Sequence, residues 1–492
     1  MCGYIISWYS LTVAVRLMIT LLSLVTDCTV LQLAKWLHGN RDAVSAAVVM
    51  ATSYISLVYY TRTFSNTLES FLYAALLYAL TRRSHKEISD FMSAVTISAL
   101  IVVGVFNRPT FVIYAAVPYL WWLFSDGVSE VIARAVNSML TAVPVSVLLT
   151  MCDSLYFGQL DINKLNIADL SDIVSFVTNN LTVTPLNFVL YNTQFGNLAE
   201  HGIHPRFTHF IVNLPLLFSV LSIYFFCDVY RWCMTAIGLC DWKFVSMYWQ
   251  QLVLLLCCIV PVILLSLFPH QEPRFLIPLL PIFAAAYAPK ITASRGMMVL
   301  WVVANMFGCL FYGCIHQAGV VPCLGHLQQS QSTGVDRHVV FWHTYTAPQH
   351  LLLLPRKSSQ TQDAFDTGAP PLVSLEGNSV EDLMHHLVHI NSSQSSQRWE
   401  KPEVMVAAPS SEHHYLVCIA AEAGIQLDLN QSFWPHLSTE HPPHIDDILC
   451  HVPTSSCYNN AAAVDYDDFC NKTLIERLRF LTSLNLYRVN FL

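Results

Sequence analysis

His270-Gln271-Glu272-Pro273-Arg274-Phe275 stands between two long apolar runs, 251–268 before it and 276–288 after it. Charged and strongly polar side chains are costly inside a bilayer and rarely idle at its edge. The flanking runs therefore read as membrane-crossing helices joined at a short polar corner. Pro273 is placed to start the second helix, because a first-turn residue has no helical partner for its N–H anyway.

Composition points the same way. Of 492 residues, 54% are hydrophobic and 12% charged, where soluble domains carry about 25% charged residues. Mean hydropathy is +0.46. A polytopic membrane protein follows. The net charge of -8 and the lack of a long basic run argue against nucleic acid as a partner. Several of the 15 cysteines lie in apolar runs, as Cys257 and Cys258 do, and read as packing residues. No zinc-type doublets of Cys and His stand out, so no metal site is expected. Nor is a signal-peptide cleavage pattern evident.

Working outward, the apolar runs at 4–25, 43–60, 66–81, 91–106, 109–124, 130–151, 206–226, 246–268, 275–289 and 296–315 give about ten candidate spans. Several fall short of the roughly 20 residues a bilayer needs, and are expected to tilt, to lie buried in the bundle or to be re-entrant. Beyond about Gln317 no run is long enough to span. The expected fold is an all-α polytopic bundle over 1–316, with a polar loop at 152–205, followed by a mixed α/β domain over 317–492. Within that tail, Ser358–Gly368 and Asn391–Gln397 read as loops. Five cysteines, Cys323, Cys418, Cys450, Cys457 and Cys470, lie in it. Their connectivity is not readable from spacing.

Basic residues orient the bundle. Lys35 and Arg41, Arg82, Arg83 and Lys86, Arg231 and Lys243, and Lys290 and Arg295 share one side if the ten spans hold. That side is expected to be cytosolic. The opposite, luminal side then carries 152–205, the 270–275 corner and the tail. It also carries the Asn-Xaa-Ser/Thr sequons at Asn180, Asn391, Asn430 and Asn471, which are glycosylation candidates. The scheme puts Met1 on the luminal side without a cleavable signal, so an upstream segment with at least one further span is expected.

Three connections on that side each hold one arginine. They are Thr61-Arg62-Thr63-Phe64-Ser65-Asn66, Phe106-Asn107-Arg108-Pro109-Thr110, and the corner with Arg274. Positive charge there runs against the usual bias. A planar guanidinium fork beside a helix start suits a phosphate. The structural alternative is that each arginine snorkels to headgroups or pairs with a neighbour, as Arg274 could with Glu272. His270 alone reads as an interfacial histidine. Tyr156-Phe157-Gly158 and Pro185-Leu186-Asn187-Phe188 read as packing. Nothing ranks Asp153 or Asp161 above solvated loop acids.

The corner, continued through Leu276-Ile277-Pro278-Leu279, resembles the motif of the dolichyl-phosphate-mannose-dependent α-mannosyltransferases of the endoplasmic reticulum, which have the GT-C fold. Tyr60–Thr67, Phe106–Phe111, Asp153–Phe157, Thr184–Phe188, Asn197–Gly202, His316–Pro322, His343–Leu352 and Phe433–Leu437 resemble the branch that works on the glycosylphosphatidylinositol (GPI) anchor. Thr346–Gln349 departs from the Met-Pro-Pro-Arg seen there. The likeness covers essentially the whole chain.

The resemblance implies an enzyme of the endoplasmic reticulum membrane with no separate cofactor. It would transfer mannose from dolichyl phosphate mannose to a GPI glycolipid as the fourth, side-branch sugar, in α-1,2 linkage and with inversion. It implies that Arg274 contacts the donor phosphate, fixed by His270 and Glu272, with Arg108, Asn107 and Arg62 as further candidates. The family's His-Pro-Asp-Glu motif, which holds the expected catalytic base, has no counterpart here, since the sequence contains no Asp-Glu pair. The base is thus not assigned. The alternatives are another mannosyltransferase of the family (third GPI mannose or N-glycan precursor), a shortened non-catalytic form, and a polytopic transporter. A transporter would show paired interrupted helices and internal symmetry, and the sequence shows neither.

Overall fold

A computed structural model describes residues 8–40, 42–84, 89–160, 180–194, 204–238, 242–330, 337–352, 372–394, 403–450, 466 and 468–491. Asp161, Asn197–Gly202, Ser358–Gly368, Arg41, Lys86 and Cys457 lie outside the described residues. Contacts divide the chain into one unit over Ala14–Phe307 and another over Gly308–Leu492 with the first residues to Val13.

The first unit is helical. Its helices are α1 (Trp8–Leu22), α2 (Leu24–His38), α3 (Ala43–Ala51), α4 (Ser65–Ser84), α5 (Asp90–Asn107), α6 (Phe111–Phe124), α7 (Val128–Tyr156), α8 (Thr184–Thr193), α9 (Leu214–Phe218), α10 (Val220–Gly238), α11 (Trp242–Ser266), α12 (Leu280–Thr292) and α13 (Arg295–Leu310). Among the described residues, seven helical segments are long and apolar enough to cross a membrane. That is fewer than the ten runs in the sequence, and the difference has physical causes.

The run at 4–25 does not stop where its hydropathy falls. α1 and α2 follow one another as a single candidate span, Thr12–His38. Asp27 and Lys35 dilute the pattern, yet Thr26 and Thr29 turn their hydroxyls onto the helix carbonyls of Ser23 (2.6 Å) and Val25 (2.7 Å). Their polar groups are satisfied internally, so the helix persists. The run at 43–60 is broken into α3 and a π-helical turn, Ile55–Tyr59. The run at 66–81 sits inside α4, whose Tyr73, Ala74 and Leu76 are fully buried. α4 is thus an interior helix, as expected for the less apolar runs.

Two segments mark the extremes of burial. The stretch Pro273–Thr292 is 72% buried and forms the centre of the unit. There Phe283 stacks on Phe218 with ring centroids 4.3 Å apart. α7 is only 6% buried over its apolar window, and Ile132, Met139, Leu140 and Val147 point outward. Large apolar side chains on the outside of a helix are what a lipid environment favours.

The second unit carries α14 (Val320–Ser330), β1 (Arg337–Trp342), β2 (Leu372–Leu375), α15 (Val380–Gln394), β3 (Glu403–Pro409), α16 (His413–Glu422), β4 (Ile425–Phe433), α17 (Ile445–Leu449), α18 (Leu474–Leu481) and β5 (Leu484–Phe491). The sheet order is β2-β1-β3-β5-β4. β2, β1 and β3 are parallel, and β5 runs antiparallel to both β3 and β4. Alternate side chains feed two cores: Val340, Trp342 and Val406 on one face, Val339, Phe341 and Met405 on the other. Burial on both faces is the usual state of parallel strands. The mixed α/β tail is therefore as expected.

One expectation in the tail is corrected. Asn391–Gln394 is the last turn of α15 rather than a loop. Buried Leu383, Leu387 and Ile390 hold that helix on the sheet, and their helical spacing carries the turn past the polar residues. Cys450 and Cys470 are disulfide-bonded, while Cys323 and Cys418 are buried thiols.

Candidate functional site

The 270–275 corner is held from within by Gln271, which is 1% exposed. Its Oε1 accepts the His209 backbone N–H at 3.0 Å. Its Nε2 donates to the carbonyls of Ser266 (3.1 Å) and Phe268 (3.2 Å). One buried amide thus ties the corner to the end of α11 and to the turn at His209, with donors and acceptor all used. Pro273 then opens a 3₁₀ helix, Pro273–Leu279, that runs into α12, and Glu272 is its N-terminal cap residue.

Glu272 organises the charges. It pairs with one edge of the Arg274 guanidinium, with Nη2 2.8 Å from Oε1 and Nε on Oε2. His270 Nε2 lies 2.8 Å from the same Oε1. Burial pushes the Glu272 carboxyl up, but the His270 hydrogen bond and then the Arg274 charge outweigh it and hold the group down at about 2. It is therefore ionised at neutral pH and fixes its two neighbours. The pairing of Arg274 with Glu272 was the structural alternative in the sequence, and it is present. It leaves Arg274 38% exposed, with its guanidinium 5.8 Å from the Phe64 ring centroid.

A second cation comes from the α5–α6 turn. α5 ends as Arg108 turns extended. A Cβ on Gly104 would lie 2.2 Å from the Phe111 ring, so glycine lets the end of α5 close on the start of α6. Asn107 Nδ2 donates to the Ser65 carbonyl at 3.0 Å. Arg108 Nη1 donates to Ser65 Oγ at 3.0 Å, and its Nε sits 3.5 Å from Glu69 Oε2. Thr110 Oγ1 donates to Glu69 Oε1 at 2.8 Å.

Phe275 joins the two loops. Its carbonyl accepts the Tyr114 hydroxyl, and its ring lies 5.6 Å from that of His270. Between the loops is a cavity of about 220 Å³ lined by Glu69, Arg108, Thr110, Tyr114, His270 and Phe275. Leu265 and Phe268 of the 251–268 run, with Phe188 and Val189 of α8, make its apolar wall.

The structure therefore brings His270, Glu272, Arg274, Asn107 and Arg108 to neighbouring positions. Of the candidates, Arg108 and His270 line the cavity, while Arg274, Glu272 and Asn107 stand beside these residues without lining it; Arg62 is half-buried in the 60–66 loop and does not line it either. From that loop it is Phe64 that reaches Arg274. Phe188, read as packing, lines the cavity, and Tyr156 and Phe157 are exposed rather than packed inside. Asp153 accepts the Thr184 hydroxyl. Of the sequons, Asn430 and Asn471 are exposed, and Asn180 and Asn391 are half-buried.

Glu69, Thr110, Tyr114 and Gln271 were not singled out from the sequence. Glu69 had a visible signal, as the one charged residue in the run 66–81. Thr110 and Gln271 stand inside the quoted stretches without a role of their own, and Tyr114 carried no signal.

One cluster resembles a metal-ligand set. His343, Glu412 and His441 place ligand atoms within 4.8 Å of one another. The two imidazoles, however, stack at 3.6 Å with planes 13° apart. Metal-binding lone pairs lie in the ring plane, so stacked parallel rings do not converge on one ion.

The first unit is a polytopic helical bundle with an apolar-walled cavity lined by Arg108 and His270, and Arg274 stands on the adjoining corner. Comparison with known proteins narrows this. The family model for Alg9-like mannosyltransferases matches residues 4–354. The chain is 30% identical to GPI alpha-1,2-mannosyltransferase 4 of Homo sapiens over 478 residues, covering 90% of this chain and 76% of that one. It is 28% identical to GPI mannosyltransferase 4 of Drosophila melanogaster over 526 residues, covering 89% and 74%. Among solved structures, ArnT from Cupriavidus metallidurans bound to undecaprenyl phosphate overlaps with a TM-score of 0.44 at 11% identity, covering 85% of this chain and 82% of that one.

This chain belongs to the Alg9-like mannosyltransferase family. It is a multi-span membrane glycosyltransferase, as the motif resemblance implied, and the transporter reading is set aside.

Proposed function

We propose that this chain transfers mannose from dolichyl phosphate mannose to a GPI intermediate as an α-1,2-linked side branch, at the luminal face of the endoplasmic reticulum membrane. The observation that carries the acceptor is likeness over nine-tenths of the chain to relatives named for that step. The relatives' names favour this acceptor over the third GPI mannose and over the N-glycan precursor.

In this reading the donor phosphate sits between Arg274 and Arg108. As the bond from the anomeric carbon to the phosphate oxygen breaks, negative charge grows on the leaving dolichyl phosphate. Preorganised guanidinium groups stabilise that charge without having to reorganise. Glu272 keeps Arg274 in place by binding its Nε and Nη2. Leu265, Phe268 and Phe188 offer the prenyl chain an apolar surface. The acceptor hydroxyl attacks from the opposite face of the sugar, giving inversion. Its proton needs a base, which we do not assign to any residue of this chain.

The luminal assignment of the second unit is supported by the Cys450–Cys470 bond, which persists in an oxidising compartment, and by exposed sequons at Asn430 and Asn471. The test is expression of the encoding gene in cells that lack fourth-mannose addition, with GPI glycans read by mass spectrometry. Appearance of the four-mannose species is expected. A GPI glycan that stays at three mannoses in cells rescued by a known fourth-mannose enzyme would contradict the assignment.

A further inference from the structure

We infer that Glu69 is a positioning residue that aims the Arg108 guanidinium into the cavity. The inference rests on the reading that this cavity receives the donor's phosphate diester. It goes beyond that reading by naming the group that sets the second arginine.

Glu69 lies one turn into α4 and is 1% exposed. A buried carboxylate persists only when its oxygens are paired. Here each oxygen takes one group from the α5–α6 turn: Oε1 accepts Thr110 and Oε2 faces Arg108 Nε. Glu69 therefore binds the turn at two points on either side of Pro109. Arg108 is fixed by three contacts of different kinds. Nε faces Glu69, Nη1 donates to Ser65 Oγ, and the guanidinium lies 5.4 Å from the Phe275 ring centroid. These contacts set the plane of the fork. Among the described residues, Arg108 Nη2 has no protein partner, and Arg108 lines the cavity. A guanidinium held at Nε and Nη1 with Nη2 left open is arranged to receive an anion.

A carboxylate that merely neutralised Arg108 for burial would affect stability. A positioning carboxylate affects donor use. The two are separated by kinetics on the purified full-length enzyme with dolichyl phosphate mannose as the varied substrate. Glu69→Gln keeps an oxygen for Thr110 and removes the charge that holds Arg108. It is expected to raise the donor KM about tenfold, with a smaller fall in kcat and a thermal midpoint close to the parent's. Arg108→Lys is expected to do the same. The double variant is expected to be little worse than either, because the two residues act as one unit.

Multiplicative losses in the double variant would overturn the inference. So would a Glu69→Gln enzyme that is less stable yet has an unchanged donor KM. If Glu69→Gln does not accumulate, Thr110→Val and Ser65→Ala carry the test, since each loosens the same hold without touching a charge. About a threefold rise in donor KM is expected from each, and no rise from either would overturn it. Arg274→Ala distinguishes the two levels. If Arg274→Ala and Arg108→Lys raise the donor KM while Glu69→Gln does not, only this inference fails. If none of the three changes it, the phosphate placement itself fails.

Discussion

Arg108 lies over Phe275, its guanidinium carbon 5.4 Å from the ring centroid. Arg108 belongs to the α5–α6 turn and Phe275 to the 270–275 corner, so this contact brings the two arginine-bearing loops around one cavity. A cation over an aromatic face is worth about 0.5–2 kcal/mol, more when water is excluded. Phe275→Leu keeps an apolar group and removes the flat face. We expect the donor KM to rise several-fold with kcat less affected, measured on purified enzyme. An unchanged donor KM would show that the ring does not hold Arg108.

Gln271 supports the corner rather than the chemistry. Replacing it with Leu would leave the His209 N–H and two carbonyls without partners in a buried place. Each orphaned group costs roughly 1–3 kcal/mol. Gln271→Leu should lower the thermal midpoint by several degrees in detergent.

Glu272 makes a signed prediction for pH. Its carboxyl is held at about 2, below the ordinary 4.5. A depressed carboxylate contributes stability that is fully present above the unfolded value and is lost as pH falls through the folded one. The stability gap between the parent and Glu272→Gln should therefore shrink as pH falls below about 4.5. The activity of the parent near neutral pH should show no titration from this group. A gap that widened as pH fell below about 4.5 would contradict the pairing with His270 and Arg274.

The tail gives a test of orientation. If the second unit is luminal, Asn430 and Asn471 are open to glycosylation, and Cys450 and Cys470 stay linked in cells. Endoglycosidase should shift the protein on a gel, and the shift should shrink with Asn430→Gln and Asn471→Gln. A fully reduced Cys450 together with no glycan at any sequon would place the tail in the cytosol.

Legibility in the sequence followed distance along the chain. The corner was readable because His270, Glu272 and Arg274 are neighbours in an apolar setting, and Pro273 starts the next helix where its chemistry says it should. Other features depend on partners far away. Gln271 reaches His209, 62 residues off, and Glu69 is explained by Thr110, 41 residues off. No local pattern announces such pairs. α2 was missed for a different reason: Asp27 and Lys35 lower its hydropathy, while threonine hydroxyls turned onto helix carbonyls keep the helix intact. The last turn of α15 was missed because Ser and Asn resemble loop residues there, and packing overrides their preference.

The central claim is that the cavity between the two arginine loops receives the donor phosphate. Binding of dolichyl phosphate to the purified full-length protein tests it without requiring turnover. Arg274→Ala should weaken that binding about tenfold or more, in keeping with loss of a charge-assisted contact, while Arg62→Ala should change it little. Unchanged binding of dolichyl phosphate to Arg274→Ala would contradict the account.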